Sequence, residues 1–458
     1  MVKERARILM VGGGYVGMYT ALRLQRKLNA ELKRGEVEIT VLSPDPYMTY
    51  QPFLPEAAAG SISPRHVVVP LRRVLDQCRI VIGEAKSIDH AKRTVTLTTL
   101  ATEEEGAGAE QLSYDELVLA PGSIARTLPI PGLADYAIGF KTVEEAIGLR
   151  NHVIEQMDIA SSTRDPAIRD AALTFVFVGG GYAGVEALGE LEDMARYTAR
   201  YYHNVEPDDM KWILVEASNR ILPEVGPEMG KYTITELRRR NIDVRLETRL
   251  DSCADRIAVL SDGARFPTRT VVWTAGVKPH PVLAASDLPL TERGRLKCTP
   301  QLTVEGTTHA WAAGDAAAVP DVTAEPGTET APNAQHAVRQ AKVLGDNIAH
   351  SLRGEPLETY AHKYAGSVAS LGLHKGVAHV YGRKLKGYPA WFMHRVYHLS
   401  RVPTFNRKAR VFAEWTLAGL FKREIVSLGS LEHPRAEFEL AAGGKHPLDP
   451  KLGPKGSS

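Results

Sequence analysis

The sequence predicts an α/β protein, because a β-strand, a glycine-rich turn and an α-helix follow one another twice along the chain. Residues 8–17 read ILMVGGGYVG and residues 177–184 read FVGGGYAG, so the second copy repeats the first almost letter for letter. Such a turn lets the backbone approach a pyrophosphate and points unpaired helix N–H groups at it. The repeat therefore predicts two Rossmann-like dinucleotide-binding domains. The glycines at GxGxxG spacing are Gly12, Gly14 and Gly17 in the first copy and Gly179, Gly181 and Gly184 in the second.

Length and composition are those of a globular protein with room for two or three domains. The 458 residues are 44% hydrophobic and 24% charged with a net charge of +2, so overall charge predicts no special partner. Cys78, Cys253 and Cys298 are far apart and odd in number, which excludes a disulfide framework and a CxxC motif, and we expect no metal site. No apolar run is long enough to span a bilayer and no signal-peptide pattern precedes the first strand, so any membrane contact is expected to be peripheral.

The first unit is predicted to begin with a strand at Ile8–Val11, and Tyr15 inside its glycine turn is counted among the cofactor-binding residues. A second strand, Val37–Leu42, leads to the position where an acidic residue usually holds the adenosine ribose. That position is Ser43, and the nearest carboxylate is Asp45. Two interpretations stay open: Asp45 reaches the ribose hydroxyls, or it is a turn residue before a proline and backbone groups hold the ribose.

The stretch after this unit contains three further predicted elements. Tyr47–Ala59 is rich in aromatic residues and proline and is predicted to be a packed loop. Val81–Leu100 alternates between polar and apolar residues as a strand does. Tyr114–Ser123, YDELVLAPGS, is predicted to be a buried strand that ends in a Pro-Gly turn at Gly122.

The second unit follows a long predicted helix, Val143–Met157. Its strand Trp212–Val215 ends at Glu216, where a carboxylate hydrogen-bonds a ribose 2′-hydroxyl and repels a 2′-phosphate. This predicts a preference for NAD over NADP, the alternative being a surface glutamate at a strand end. Val271–Val277 is predicted to close the unit with a strand and a turn at Gly276.

A third informative block, residues 307–320, delivers Gly314 and Asp315 from an apolar strand to a helix start. There Asp315 can accept a hydrogen bond from a ribityl or ribose hydroxyl while backbone N–H groups face phosphate. The alternative is an ordinary aspartate N-cap. Helical spacing then predicts a helix over Asn333–His350.

The C-terminal part is basic. Residues 359–413 contain no Asp or Glu and ten Lys or Arg residues. Two predicted helices, Pro389–Arg401 and Lys408–Phe421, place aromatic and aliphatic residues beside these cations, which favours an amphipathic region on an anionic membrane surface. Packing on the body of the protein is the alternative, and nucleic-acid binding is not expected. Residues 443–458 are rich in Gly, Pro and Lys and are predicted to be disordered.

Two similar nucleotide-binding units, the second inserted between the halves of the first, are the layout of the two-dinucleotide-binding-domain flavoproteins, which the sequence resembles over nearly its whole length. The resemblance implies an FAD-binding domain at 1–138 and 299–375, an NADH-binding domain at 139–298 and a membrane-associating region at 376–442. Disulfide reductases of this superfamily carry a CxxxxC pair where this chain has Tyr47–Glu56 without cysteine. Sulfide:quinone oxidoreductases need a cysteine pair, and the three cysteines here give no reason to pair.

Within that superfamily the sequence is most similar to the type II NADH dehydrogenases, which are single-subunit NADH:quinone oxidoreductases that do not pump protons. The matching stretches are Tyr50–Glu56 (YQPFLPE), Tyr114–Ser123, Gly179–Leu191, Trp273–Val277, Gly314–Asp315, Ala334–Ala337 (AQHA) and Phe421–Leu428 (FKREIVSL).

The resemblance implies a function. FAD binds the first unit and NADH the second; hydride passes from NADH to FAD and two electrons then reach a membrane quinone on the cytoplasmic side of the cell membrane. Glu186 is implied to lie near the nicotinamide and flavin, and Gln335 to border the quinone, which makes them the catalytic residues. A homodimer stays open. The other residues that we expect to contact a cofactor are Asp45, Gln51, Pro52, Gly122, Gly276 and Ala334.

One departure concerns the quinone side. The family pattern there is AQxAxQ, whereas Ala334–Arg339 reads AQHAVR and Gln340 follows one residue later, on another helix face. His336 is a further candidate donor to a quinone oxygen. Two other functions therefore stay open: a soluble NADH-dependent flavoprotein reductase with an electron-carrier protein as acceptor, and a redox-sensing protein that binds FAD and NADH.

Overall fold

The first unit is a mixed β-sheet, parallel from β20 (Ala310–Ala312) to β5 and antiparallel from β5 to β7, which the chain leaves and later rejoins. The computed structural model describes residues 5–104, 109–363, 366–421, 423 and 425–427. Among them the first sheet has the strand order β20-β8-β1-β2-β5-β6-β7. The elements up to residue 125 are β1 (Ala6–Val11), α1 (Tyr15–Lys27), α2 (Asn29–Lys33), β2 (Val37–Ser43), β3 (Tyr47–Thr49), α3 (Leu54–Ala58), β4 (Val68–Pro70), α4 (Leu71–Val74), β5 (Arg79–Asp89), β6 (Thr94–Thr99), α5 (Leu100–Glu104), β7 (Glu110–Ser113), β8 (Glu116–Leu119) and β9 (Ser123–Ala125).

The second unit is a smaller parallel sheet with the strand order β10-β17-β11-β12-β13 in the described chain. Its central strand, β11, is apolar after Thr174 and buried along its whole length, as strands covered by helices on both faces are. The elements from residue 133 to 279 are α6 (Leu133–Tyr136), β10 (Ala137–Ile138), α7 (Val143–Ser162), α8 (Pro166–Ala172), β11 (Thr174–Val178), α9 (Tyr182–Thr198), β12 (Lys211–Val215), α10 (Pro227–Arg238), β13 (Ile242–Arg245), β14 (Leu250–Ser252), β15 (Ile257–Leu260), β16 (Arg265–Pro267), β17 (Thr270–Trp273) and β18 (Val277–Pro279).

The last part of the chain completes the first sheet and then covers the second unit. Strand β20 pairs in parallel with β8, and α11 packs along α1. An antiparallel sheet of β22, β23 and β24 precedes two helices, of which the first, α12, packs on the sheet and the second, α13, packs on α12 and on the 3-10 turn Pro64–His66. These elements are β19 (Leu296–Lys297), β20 (Ala310–Ala312), β21 (Ala317–Ala318), α11 (Ala334–Arg353), β22 (Gly366–Ser370), β23 (Gly376–Val380), β24 (Arg383–Lys386), α12 (Tyr388–Arg401) and α13 (Phe405–Phe421).

The predicted α/β class with two Rossmann-like units is confirmed by these sheets. The division at residues 138 and 298 stays a prediction, and the packing gives its details. Strand β10 hydrogen-bonds to β17 and so lies in the second sheet. Leu283, Leu296 and Cys298 pack in the core of the first unit, because β18 pairs back onto β9 and carries the following residues with it.

Two predictions of local structure are wrong. The helix start predicted at Gly314 and Asp315 is a 3-10 turn, Gly314–Ala316, that is followed by the strand β21. Residues 47–59 were expected to be a packed loop, but they form β3, a 3-10 turn at Gln51–Phe53 and helix α3. Proline occupies the first turn of α3, where its missing N–H costs no helical hydrogen bond. Prolines that argued against regular structure therefore start a helix. The predicted disordered tail, residues 443–458, lies outside the described residues.

Candidate functional site

The first glycine turn leaves an open surface at the start of α1. Gly12 has a φ of +112°, and a Cβ there would collide with the Ala120 carbonyl oxygen. A Cβ on Gly17 would collide with the Gly12 carbonyl oxygen, whereas a Cβ on Gly14 would meet nothing within 4 Å. The N-terminus of α1 has no side-chain cap and no acidic residue in its first turn. Its backbone N–H groups are thus available to an anion.

The second glycine turn reproduces this geometry. Gly179 has a φ of +117°, and Cβ atoms on Gly179 or Gly184 would come within 2.6 Å of the Thr274 hydroxyl oxygen. A Cβ on Gly181, the N-cap of α9, would again meet nothing within 4 Å. Two of the glycines at GxGxxG spacing are thus required by close backbone packing, and the middle one faces open space. A pyrophosphate fits both turns.

The two units differ at the position that selects a ribose. Glu216 accepts hydrogen bonds from the Gly180 N–H (2.6 Å) and the Ser218 N–H (2.7 Å), so its carboxylate is fixed beside the turn. In the first unit the Ser43 hydroxyl occupies the position that corresponds to the Glu216 carboxylate. The evidence is its proximity to the turn, since a Cβ atom on Gly13 would lie 2.6 Å from the hydroxyl oxygen. Asp45 lies in the next turn, where desolvation and the nearby Glu144 raise the pKa of its carboxyl. Its contact with the ribose stays a prediction.

A group of polar side chains surrounds Asp315. Its Oδ2 accepts a hydrogen bond from the Ser123 hydroxyl (2.6 Å), and the Lys141 ammonium donates to the Ser123 Oγ (2.7 Å). Desolvation lowers the pKa of Lys141, although Asp315 and Glu145 oppose the shift. A carboxylate and an ammonium thus converge here, which suits a polyhydroxylated ribityl chain. The sequence did not single out Lys141, which precedes α7 by two residues.

The other predicted cofactor contacts border these regions. Gly122 (φ +74°) and Gly276 (φ +91°) both have open space where a Cβ would be. Gln51 is exposed and its Nε2 donates to the Lys141 carbonyl oxygen (3.4 Å). Pro52 is half-buried, and Ala334 is the first residue of α11.

Tyr15 supplies an independent observation at the first turn. The backbone of Gln51 lies near the Tyr15 hydroxyl, which is buried and meets no side-chain hydrogen-bond partner among the described residues. Buried hydroxyls in native proteins nearly always have one. The open cradle at Gly14, the bare N-terminus of α1, Asp315 and this hydroxyl together fit the pyrophosphate, ribityl and ring portions of FAD.

The start of α11 carries the residues predicted to border the acceptor. The Gln335 side-chain amide donates from Nε2 to the Gly366 carbonyl oxygen (3.2 Å), and its Oε1 lies 3.2 Å from His362 Nε2. The Arg339 guanidinium donates to the main-chain carbonyl oxygen of Gln335 (2.8 Å). Gln335 and Arg339 therefore share one face. His336 does not fit its suggested part as a quinone donor, because it is buried and its Nδ1 lies 2.8 Å from the Tyr360 hydroxyl.

Gln340, which the sequence placed one position away from the family pattern, has a separate task. It is buried, accepts a hydrogen bond from the Gly314 N–H (2.8 Å) and donates to the Thr330 hydroxyl (3.0 Å). It therefore holds the turn that carries Asp315. The one-residue offset turns this amide toward the body of the first unit rather than toward Gln335.

A cluster of buried charges, which sequence reasoning missed, lies where the two units meet the C-terminal helices. Its carboxylates, Glu56, Glu186 and Glu190, are at most 7% exposed. Glu56 accepts from Trp415 Nε1 (2.6 Å) and pairs with Arg395 (3.1 Å). Arg395 lies between the rings of Trp391 and Trp415. The sequence did contain one signal of this cluster, the absence of Asp and Glu from residues 359–413. Cations in such a segment have to find their carboxylate partners on other elements.

Glu186, predicted to be catalytic, is held within this cluster. Its Oε1 accepts from the Ser370 N–H (2.8 Å) and lies 3.2 Å from Nε2 of His394, which is 1% exposed. Desolvation opposes a charge on His394, but Glu186, Glu56 and Glu190 outweigh it and raise the pKa of the imidazole. Glu186 is therefore not a free helix-terminal carboxylate.

Comparisons with known proteins identify the class. Residues 5–341 match the family model described as pyridine nucleotide-disulphide oxidoreductase, so the chain belongs to that family. A solved structure, NDH2 from Plasmodium falciparum in complex with NADH, superposes with a TM-score of 0.83 at 17% identity, covering 92% of this chain and 100% of that one. At this identity the likeness shows the fold.

The particular family follows from curated relatives. The chain is 30% identical over 402 residues to the type II NADH:quinone oxidoreductase of Staphylococcus saprophyticus, covering 86% of this chain and 95% of that protein. It is 30% identical over 435 residues to the type II NADH:quinone oxidoreductase NdhA of Mycobacterium tuberculosis, with 90% and 87% covered. The chain belongs to the type II NADH:quinone oxidoreductases, which confirms the resemblance seen in the sequence.

Proposed function

We propose that this protein is an FAD-dependent NADH:quinone oxidoreductase that transfers two electrons from NADH to a membrane quinone without pumping protons. The observation that carries the proposal is the pair of matched glycine turns, of which one bears a ribose-selecting carboxylate and the other does not. Bound FAD supplies the step that links the two substrates, because it accepts a hydride and passes electrons on. The balance is NADH, quinone and one proton giving NAD⁺ and quinol.

The residues of the chain bind the cofactor and the substrates and orient them. The bare helix N-termini behind Gly14 and Gly181 hold pyrophosphates, and Glu216 receives the ribose hydroxyls of NADH and disfavours a 2′-phosphate. Asp315 and Lys141 hold the ribityl chain. Glu186 lies on the nicotinamide side of the flavin and Gln335 on the quinone side, as the sequence predicts.

Purified protein tests this function directly. We expect NADH to bleach the flavin absorbance and a soluble quinone analogue to restore it with steady turnover. The matched control is Glu216→Arg, which should weaken NADH use and leave flavin content unchanged. An absence of quinone-dependent NADH oxidation would overturn the proposal, and turnover with an electron-carrier protein alone would favour the soluble reductase.

We further propose that α12 and α13 bind the cytoplasmic surface of the membrane peripherally. None of the helices that the structure describes has the length and hydrophobicity needed to cross a bilayer. Phe392, Phe412 and Leu420 are 55%, 60% and 71% exposed on these helices. Cations accompany them: Arg401 and Arg410 are exposed and Lys408 is half-buried, and among the described residues none of the three has a carboxylate within 4.0 Å. Apolar side chains beside cations that have no carboxylate partner suit an anionic bilayer surface.

Sedimentation with vesicles tests the membrane proposal. The protein should pellet with vesicles that contain anionic lipid and be released by salt, and the double variant Phe412→Asp, Leu420→Asp should stay in the supernatant. Lys33→Asp, a change on α2, is the charge control. If the wild type stays in the supernatant and instead self-associates in detergent-free ultracentrifugation, the exposed face binds a second copy of this chain.

A further inference from the structure

Two stretches of the chain that lack acidic residues meet at one surface of the protein. Residues 57–75 contain no Asp or Glu, and residues 359–413 contain none either. The fold joins the two stretches, because the 3-10 turn Pro64–His66 packs against α13 and the Arg407 guanidinium donates to the Arg65 carbonyl oxygen (2.7 Å). Cations that are far apart in the sequence are therefore neighbours in the folded protein.

Five arginines at this junction form a group that we call the arginine cluster. They come from the 3-10 turn, from α4 and from α13, and they are Arg65, Arg72, Arg73, Arg407 and Arg410. Four of them are exposed, and Arg407 is half-buried. Their charges act on one another across the elements, since desolvation and then the charges of Arg410 and Arg73 lower the pKa of Arg407. None of the five has a carboxylate within 4.0 Å among the described residues.

The acidic residue of α13, Glu414, is engaged next to the cluster. Its Oε2 accepts a hydrogen bond from the Ser63 N–H (2.6 Å) and lies 3.0 Å from His66 Nδ1. Like charges this close repel and destabilise the folded chain unless an anion lies among them. A guanidinium donates in a planar fork that matches the oxygens of a phosphate. The arginine cluster is therefore suited to an anion with phosphate geometry.

Apolar side chains continue this surface along α13. Leu417 and Phe421 follow Arg410 at spacings of seven and eleven residues, so the three side chains lie on one side of the helix. Leu417 is 53% exposed and Phe421 is 78% exposed. The helical rise places Leu417 about 10 Å from Arg410 along the axis. A free phosphate would contact only the cations, whereas a phospholipid also brings an acyl chain to the apolar extension.

We propose that the arginine cluster binds the phosphate group of an anionic phospholipid in the membrane, with the lipid chains against Leu417 and Phe421. This inference rests on the proposed peripheral membrane binding and deepens it. The proposal above assigns that binding to α12 and α13, and the arginine cluster adds α4 and the 3-10 turn of the first unit. Contacts from both parts of the chain fix the orientation of the protein on the bilayer.

Modification of arginine by phenylglyoxal, followed by mass spectrometry, tests the site residue by residue in the full-length, flavin-loaded protein. Vesicles of phosphatidylcholine and phosphatidylglycerol should protect Arg73 and Arg410, and vesicles of phosphatidylcholine alone should leave both reactive. The matched control is Arg265, which is exposed on β16 of the second unit and should react equally in all samples.

Two soluble anions distinguish the possible ligands in the same assay. Inorganic phosphate at millimolar concentration should give no protection. Protection by phosphate equal to that by anionic vesicles would assign a site for a free anion and overturn the lipid assignment. Protection by soluble polyglutamate without protection by anionic vesicles would assign an acidic protein segment and overturn it as well.

Sedimentation with anionic vesicles measures the contribution of the cluster to binding. Arg73→Gln, and Arg72→Gln combined with Arg73→Gln, should lower the partition coefficient about fivefold for each arginine removed, the usual contribution of one cation at an anionic surface. Arg73→Lys keeps the charge and should keep most of the binding, and Arg265→Gln should bind as the wild type does. Wild-type partitioning of the double variant would overturn the lipid site and leave the membrane proposal standing. A wild type that does not bind anionic vesicles would overturn both.

Discussion

Replacing Arg395 by methionine probes the electrostatics that attach the C-terminal helices. The change keeps most of the aliphatic length but removes the cation 3.1 Å from Glu56, which is 1% exposed. Removing one partner of a buried ion pair typically costs about 3–5 kcal/mol, because the other charge stays buried. The Trp415 N–H remains as a partner, so we expect a loss near the lower end, about 3 kcal/mol in the free energy of unfolding at pH 8.

The loss should depend on pH with a definite sign. Desolvation already raises the pKa of Glu56, opposed by Arg395, so removing Arg395 raises it further. A carboxyl group whose pKa is higher in the folded protein than in the unfolded one contributes fully to stability at low pH. That contribution is lost as the pH rises through the folded pKa. The slope approaches about 1.4 kcal/mol per pH unit within that window. Arg395→Met should therefore be mild near pH 5 and severe at pH 8.

Urea unfolding followed by tryptophan fluorescence measures this effect, because Trp391 and Trp415 both contact Arg395. Adding Glu56→Gln to Arg395→Met should recover much of the loss, since no buried charge is left alone. Arg410→Met on the exposed side of α13 is the control and should stay within about 0.5 kcal/mol. A loss under about 1 kcal/mol at pH 8, or one independent of pH, would refute the reasoning.

Four further substitutions test the two glycine turns and the turn that carries Asp315. Glu216→Arg should lower kcat/KM for NADH and raise it for NADPH, measured with both cofactors in parallel. Gly184→Ala should prevent folding because its Cβ would collide with backbone, whereas Gly181→Ala should fold with normal circular dichroism and flavin content and show a raised KM for NADH. Gln340→Leu leaves the buried Gly314 N–H unpaired, which should cost about 1–3 kcal/mol and speed flavin release, followed by fluorescence.

Local sequence spacing predicted the parts of the site that are local in structure. The glycine turns follow from backbone sterics within a few residues, so Gly12, Gly17 and Gly184 could be read from the sequence alone. Glu216 could be read as well, because a strand end lies next to the turn of its own unit. The helix α3 was missed because proline predicts both a loop and a helix start, and the difference depends on the α7 and α9 surfaces that α3 packs against.

The sequence by itself determined the two nucleotide-binding units, the position of the Glu216 carboxylate beside the second glycine turn, and the family, because each depends on short-range patterns that sterics and hydrogen bonding enforce. Only the tertiary structure decided the partners of Glu56, Glu186 and Glu190, which come from residues 370–423, far along the chain. Burial makes those partners obligatory, since a carboxylate removed from water needs a cation or a donor. The basic C-terminal segment, predicted as a membrane surface, also supplies those cations.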